Sequence, residues 1–337
     1  MFEVELDIYS GMPNPRWILS EKEEQELMEQ IAAEPAQVSA VDSAEEQFSL
    51  GYRGMIVRLI KTTDAAGGMA PMFAGRPLPQ EFRIGSRPAK DAPIAEWLLH
   101  TSEKPFKHSQ VTDELREVAS EGVALVESCR RAADPAAGVV QLAAGDAGSE
   151  MSRFPTLTGE GAHAPDPCGA AGDISPQGAT WWACGSNFFT ANAGVFNRPE
   201  NVGRNNCYCF ASNHLAGVRY ALPGRRGGRP ATSISCAGVT AGLYADGWRD
   251  GCQQNALTIV LVIWPGYDYH FYRLVTGGPN WWWGHKPGGT PAKYTDDCGN
   301  AIYQSGGRGY APNNCCRGRY VDFCGYFYQN NSTAFVA

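Results

Sequence analysis

No apolar run in this 337-residue chain approaches the ~20 residues that a membrane-spanning helix requires. The longest, Ala256 to Trp264, has the length of a strand. The N-terminus, Met-Phe-Glu-Val-Glu-Leu-Asp, has neither the basic n-region nor the apolar h-region of a secretory signal peptide. Basic charge is not in excess: the net charge is −7, which argues against nucleic acid as the main partner. No internal repeat of the roughly 20–50-residue kind is visible, which excludes solenoids and propellers. Phosphate-binding glycine loops are missing, and so are paired C-x-x-C metal spacings, so the sequence points to no cofactor.

What is present is unevenly spread. Residues 1–150 hold 25 Asp+Glu against 14 Lys+Arg, whereas residues 151–337 hold 10 against 14. Ten of the 11 cysteines and seven of the nine tryptophans fall in the second part, with Cys129 alone in the first. Between the two lies a stretch rich in Ala, Gly, Pro and Ser that carries too little apolar surface to offset its ordering entropy. These features divide the chain into an acidic domain at 1–132, a linker at 133–175 and a Cys- and Trp-rich domain at 176–337. The expected fold class is α+β for both domains.

In the first domain, Phe2 to Tyr9 alternates apolar and acidic residues, as a half-buried strand does. Gly11-Met-Pro-Asn-Pro15 reads as a turn, and Ser20-Glu-Lys-Glu23 is a capping box opening a helix that runs to about Ala33. Strands are expected at 55–60 and 81–84, and helices at 92–100 and 112–131. His100 and His108 are isolated and carry no chemistry. The Ser10-Gly-Met-Pro-Asn-Pro-Arg-Trp17 segment resembles the opening of an N-terminal module of bacterial proteins that has no assigned activity, which implies a targeting, docking or inhibitory role. Docking to a partner protein is the expectation for this domain.

The second domain carries the candidate chemistry. Asn205-Asn-Cys-Tyr-Cys-Phe-Ala-Ser-Asn-His-Leu-Ala-Gly217 begins with N-cap residues and ends on a glycine, the pattern of a helix with Cys207 in its first turn. There, unpaired backbone N–H groups and the positive dipole end favour a thiolate and can serve an oxyanion. Residues 256–264 form a buried strand, Pro265-Gly-Tyr-Asp-Tyr269 turns the chain, and residues 270–275 return. After Thr276-Gly-Gly-Pro-Asn280, Trp281-Trp-Trp-Gly-His285 makes a third strand. A thiolate needs an imidazole within hydrogen-bond reach, and that imidazole needs an orienting acceptor. Cys207, His270 and His285 occur in an order that can supply all three.

This order resembles the Cys–His–His arrangement of NlpC/P60-type cysteine peptidases, a compact papain-like fold with a helix on an antiparallel sheet. The resemblance implies Cys207 as nucleophile, His270 as general base and His285 as the orienting residue. It nominates Asn205 or Asn206 beside the oxyanion. The cysteine stands in Asn-Asn-Cys-Tyr-Cys, where those peptidases carry an Asp-Cys-Ser-Gly-like sequence. Residues 205–328 also resemble a domain found in bacterial proteins and in mollusc shell-matrix proteins. The shared segments are Asn206-Cys-Tyr, Asp268-Tyr-His-Phe-Tyr, His285-Lys-Pro-Gly-Gly-Thr-Pro-Ala and Phe323-Cys-Gly-Tyr-Phe.

The expected function is a cysteine-dependent hydrolase, a peptidase or amidase acting on an amide bond in cell-wall peptide or protein. Tyr208, Tyr269, Trp281, Trp282 and Trp283 are the candidate substrate contacts, since alternate Trp residues of a strand face opposite sides. The alternative is a disulfide-stabilised, aromatic-rich binding or matrix module without turnover, in which Cys207 and Cys209 are structural. Cys298, Cys315 and Cys316 read as disulfide partners rather than metal ligands. Arg225-Arg-Gly-Gly-Arg229 reads as a solvated basic loop, and His214 as the last-turn cation of its helix. Cysteine density indicates an oxidising compartment, so the expectation is secretion by a route without a classical signal, as for an effector or toxin, with the cytoplasm as the alternative.

Overall fold

The computed structural model describes residues 1–41, 48–60, 72–73, 76–77, 79–86, 93–103, 110–132, 192–251, 256–277, 280–305 and 308–337. The linker expected at 133–175 lies outside the described residues. The described residues form two compact units. The first gathers those of Met1–Ile8, Asn14–Gln47 and Gly51–Gln141, and the second gathers those of Tyr9–Pro13, Phe48–Leu50 and Leu142–Ala337. Two short segments from the N-terminal part of the sequence therefore count with the second unit.

The first unit is α+β. Strands β1 (Phe2–Leu6), β2 (Arg16–Ile18), β3 (Val38–Ser39), β4 (Met55–Leu59) and β7 (Glu81–Ile84) form an antiparallel sheet in the order β2-β1-β4-β7-β3. A separate hairpin joins β5 (Met72–Phe73) to β6 (Arg76–Pro77). Helices α1 (Glu21–Ala33), α2 (Pro93–His100) and α3 (Asp113–Ala132) complete the unit, with α2 in contact with both others. Helix α1 starts where the capping box places it: Glu23 Oε2 accepts from Ser20 N at 2.8 Å, and Ser20 Oγ accepts from Glu23 N. Leu27 and Ile31, four residues apart, form its buried face.

One expectation is corrected here. The acidic side of β1 does not face solvent: Glu5 and Asp7 are buried. They survive burial because cations surround them. Arg16 and Arg58 pair with Glu5, and Arg53 Nη2 and Arg83 Nη1 each reach Asp7 at 2.7 Å. Burial alone would raise the Asp7 pKa, but the two guanidiniums outweigh it and hold the carboxyl well below the usual carboxylate range.

The second unit is also α+β. Its antiparallel sheet has the order β12-β11-β10-β9-β8-β13, comprising β8 (Ala256–Trp264), β9 (Asp268–Gly277), β10 (Asn280–His285), β11 (Tyr303–Ser305), β12 (Arg308–Gly309) and β13 (Asp322–Asn330). The meander expected at 256–285 is thus present, with Val262 opposite His270 and Tyr272 opposite His285. Strand β8 is buried along its whole length, as a continuous run of β-branched and aliphatic residues requires. Among the described residues, four helices accompany the sheet: α4 (Ala193–Phe196), α5 (Pro199–Val202), α6 (Cys207–Ala211) and α7 (Cys236–Ala245). Helix α6 packs on β9 and β10, and α7 on β8 and β13. Disulfides Cys236–Cys324 and Cys298–Cys316 staple the unit, as the cysteine reading expects for 298 and 316. No helix of the described residues is long and apolar enough to cross a membrane.

Candidate functional site

Helix α6 delivers Cys207 in its first turn. Asn206 is the N-cap: its Oδ1 accepts from Cys209 N at 3.2 Å, while its Nδ2 donates to the Ala221 and Gly11 carbonyls at 2.9 and 3.3 Å. The helix is shorter than the sequence suggests. It stops at Ala211, with Ser212 as C-cap and Asn213 in the left-handed region at φ 52°, and does not reach Gly217. His214 therefore caps nothing. Its Nδ1 accepts from Val336 N at 3.2 Å, and its ring meets Phe335 edge-on.

Cys207 and Cys209 are free, buried thiols rather than disulfide partners. The Cys207 thiol points at the Tyr269 carbonyl, 3.8 Å away. Its acidity runs opposite to the sequence expectation: burial pushes the pKa far up, and the Asp268 carboxylate adds to the rise. Hydrogen bonds from Ser10 and the Phe271 backbone pull it back only in part. A one-turn helix carries little of the macrodipole of a long one, so desolvation wins.

The two imidazoles meet between adjacent strands. His270 Nε2 and His285 Nδ1 are 2.9 Å apart, and His285 Nε2 lies 2.7 Å from the Thr295 carbonyl. Burial, with the Lys293 cation second, holds the His285 pKa well below its ordinary value, so the ring is neutral. A carbonyl only accepts, which assigns the His285 proton to Nε2 and makes its Nδ1 an acceptor. His270 then donates from Nε2 and presents Nδ1 as acceptor. The group at that nitrogen is the Ser10 hydroxyl, at 2.6 Å. Ser10 is also among the groups that pull the Cys207 pKa back down, so thiol and imidazole have it as a common neighbour. Neighbouring rings hold the pair in place: Tyr272 stacks on His285 at 4.8 Å and meets His270 edge-on at 5.0 Å.

Sequence reasoning left Ser10 in the acidic N-terminal domain, just before the Gly11–Pro15 turn, and missed it here. It also missed Asp268. This buried carboxylate accepts from the backbone N–H groups of Ser10 (2.5 Å), Gly11 (3.0 Å) and Met12 (2.8 Å), and from the Tyr320 hydroxyl (2.5 Å). Desolvation raises its pKa to about 6, against the pull of those four donors.

Several candidate contacts turn out to be framework. Asn205 donates to the Asn201 carbonyl and accepts from Gly217 N, which orders its loop. The Tyr208 hydroxyl is bound between Asp246 at 2.7 Å and Trp248 Nε1 at 3.2 Å, inside the core. Trp282 and Trp283 are buried core residues rather than a substrate platform, and Trp281 is half-buried. Tyr269 is fully buried, but its hydroxyl lies in the site, donating to Ala221 O at 2.7 Å and approaching Gly11 O at 3.2 Å. The cluster of Asp296, Cys298 and Cys316 has the proximity of metal ligands, yet its sulfurs form a disulfide. Its carboxylate accepts from three backbone N–H groups and the Tyr310 hydroxyl, a structural knot.

The chain is 40% identical over 138 residues to Insoluble matrix shell protein 1 of Ruditapes philippinarum, a match covering 86% of that protein and 38% of this chain. It belongs to the family of that protein. The shell-matrix likeness read from the sequence is therefore shown. No protein-family model matches the chain, and no solved structure matches it.

Proposed function

We propose that the second unit is a papain-like, NlpC/P60-like cysteine hydrolase acting on an amide bond of a peptide or protein, with Cys207 as nucleophile. The observation that carries this reading is the ordered chain Ser10–His270–His285–Thr295, which makes His270 Nδ1 an acceptor, with Ser10 also among the groups acting on the helix-start thiol of Cys207. In turnover, His270 Nδ1 takes the Cys207 proton and the thiolate attacks the carbonyl carbon. His270 returns the proton to the leaving amine, and water, deprotonated by the same nitrogen, cleaves the thioester to release acid and free thiol. Asn206 Nδ2 is the side-chain donor nearest in type to an oxyanion contact. The two disulfides and the shell-matrix relative support action outside the reducing cytosol.

The test is trapping by a peptidyl vinyl sulfone, read by mass spectrometry on the full chain. Adduct formation at Cys207 that is lost in Cys207→Ser and slowed at least tenfold in His270→Ala supports the hydrolase. An adduct rate indifferent to His270 refutes it. The second reading, a matrix module without turnover, is favoured by the shell-matrix relative together with the complete burial of Cys207, His270 and His285.

A further inference from the structure

The segment at 9–13 is seated residue by residue in the second unit. Tyr9 meets Trp264 edge-on at 5.9 Å, and Met12 packs on the hydrophobic core around α6 and β9. Ser10 Oγ bonds the catalytic nitrogen of His270 and accepts from Gly288 N at 3.0 Å. The Gly11 carbonyl takes the Asn206 amide and faces the Tyr269 hydroxyl. Three successive N–H groups of the segment close on the Asp268 carboxylate. A Cβ on Gly11 would lie 2.4 Å from two Tyr269 ring carbons, so only glycine passes there. The neck of this loop is closed by Ile8 N donating to Asn14 Oδ1 at 3.1 Å and Leu6 N donating to Pro15 O at 2.9 Å. A bent loop of backbone thus has a hydroxyl on the base, a carbonyl on the candidate oxyanion donor and its amides gripped by a carboxylate. These are the contacts a peptide substrate would make.

We propose that Ser10–Gly11–Met12 is an intramolecular occupant of the Cys207–His270 site, standing in the place of a glycine-containing peptide and keeping the thiol closed until it is displaced. The proposal rests on the hydrolase reading for the identity of the site. It accounts for a candidate nucleophile and base that are both fully buried. It also gives the Ser-Gly-Met-Pro-Asn-Pro segment an inhibitory function and names the substrate class as a peptide with glycine opposite Tyr269.

The experiment is iodoacetamide labelling of the full chain at pH 7.5, with each cysteine followed by mass spectrometry. Cys315, a second buried free thiol bonded to Tyr272 and the Pro312 carbonyl, serves as the internal control for unfolding. Gly11→Val should raise Cys207 labelling at least tenfold with Cys315 unchanged. Gly11→Ala and Ser10→Ala should do so to a smaller degree, which keeps the test decisive if the valine variant misfolds. Cys207 labelling that stays at the wild-type rate in all three overturns the proposal. A joint rise of Cys207 and Cys315 also overturns it, because the segment is then an inseparable part of the core. His270→Ala in the Gly11→Ala background separates the two readings: if the opened thiol labels at an unchanged rate, the occupant stands and the hydrolase falls.

Discussion

Asp7→Asn should strongly destabilise the first unit, because the Asp7 carboxylate is the shared partner of two buried guanidiniums. Arg53 and Arg83 each contact it at 2.7 Å, with side chains essentially out of solvent, and Asn14 Nδ2 donates to it at 3.1 Å. Removing one member of a buried ion group leaves the others charged and under-compensated, which costs about 3–5 kcal/mol. The backbone acceptors that remain, Gly51 O for Arg53 and Val41 O for Arg83, offset only part of that. At roughly 4 °C per kcal/mol for a unit of this size, the calorimetric transition should fall by about 12–20 °C. Replacing the whole group, Asp7→Leu with Arg53→Met and Arg83→Met, should recover most of the loss, because no orphaned charge is left. The pH dependence has a definite sign. Asp7 is depressed in the folded state, so its contribution is full above the ordinary carboxylate range and is lost as the pH falls below about 4. A loss of less than about 1 kcal/mol in Asp7→Asn, or a triple variant worse than the single one, would refute the reasoning.

Three further outcomes follow from the second unit. Cys236→Ala with Cys324→Ala removes a cross-link spanning 88 residues and should lower its stability by about 2–4 kcal/mol in urea unfolding. Asp268 is raised to about 6 when folded, so the folded state takes up its proton first and stability should rise as the pH falls from about 6 to about 4. That rise, about 3 kcal/mol by linkage, should disappear from the pH profile of Asp268→Asn. Vinyl sulfone trapping should fall at least tenfold in His270→Ala and less in His285→Ala, since His285 only fixes the tautomer and angle of the base.

The fold was legible wherever a local pattern had a physical cause. The capping box at Ser20 and Glu23, the continuous apolar run at 256–264 and the turn residues around Gly266 each act over a few positions, and each appears as expected. The acidic face of β1 was misread because alternation reports only that two faces differ. Whether the polar face meets water or a set of arginines on β4 and β7 is decided by strand order, which no local pattern contains. The long helix expected from 205 to 217 failed for a related reason. Glycine at its end suggested a C-cap, but Asn213, whose amide binds the Asn331 side chain 118 residues away, ends it a turn earlier.

The site divides along the same line. Cys207, His270 and His285 could be nominated because a cysteine at a helix start and two histidines on adjacent strands leave a pattern of order and spacing, and the two imidazoles do meet. Ser10 lies 260 positions from its imidazole, so nothing in the intervening sequence encodes their meeting. Thr295 contributes a main-chain carbonyl, which every residue possesses and which therefore leaves no trace in residue type. Yet this carbonyl fixes the direction of the His270–His285 hydrogen bond. Were a donor placed there instead, His285 would carry its proton on Nδ1, His270 would accept at Nε2, and its Nδ1 would hold the proton needed elsewhere. On the hydrolase reading, His270 Nδ1 is thus made an acceptor by a group without chemistry of its own, and the group at that nitrogen is the Ser10 hydroxyl, which gives its proton to the imidazole while accepting from Gly288 N. A glycine after that serine then lets the backbone pass the Tyr269 ring, where a Cβ would lie 2.4 Å from two ring carbons.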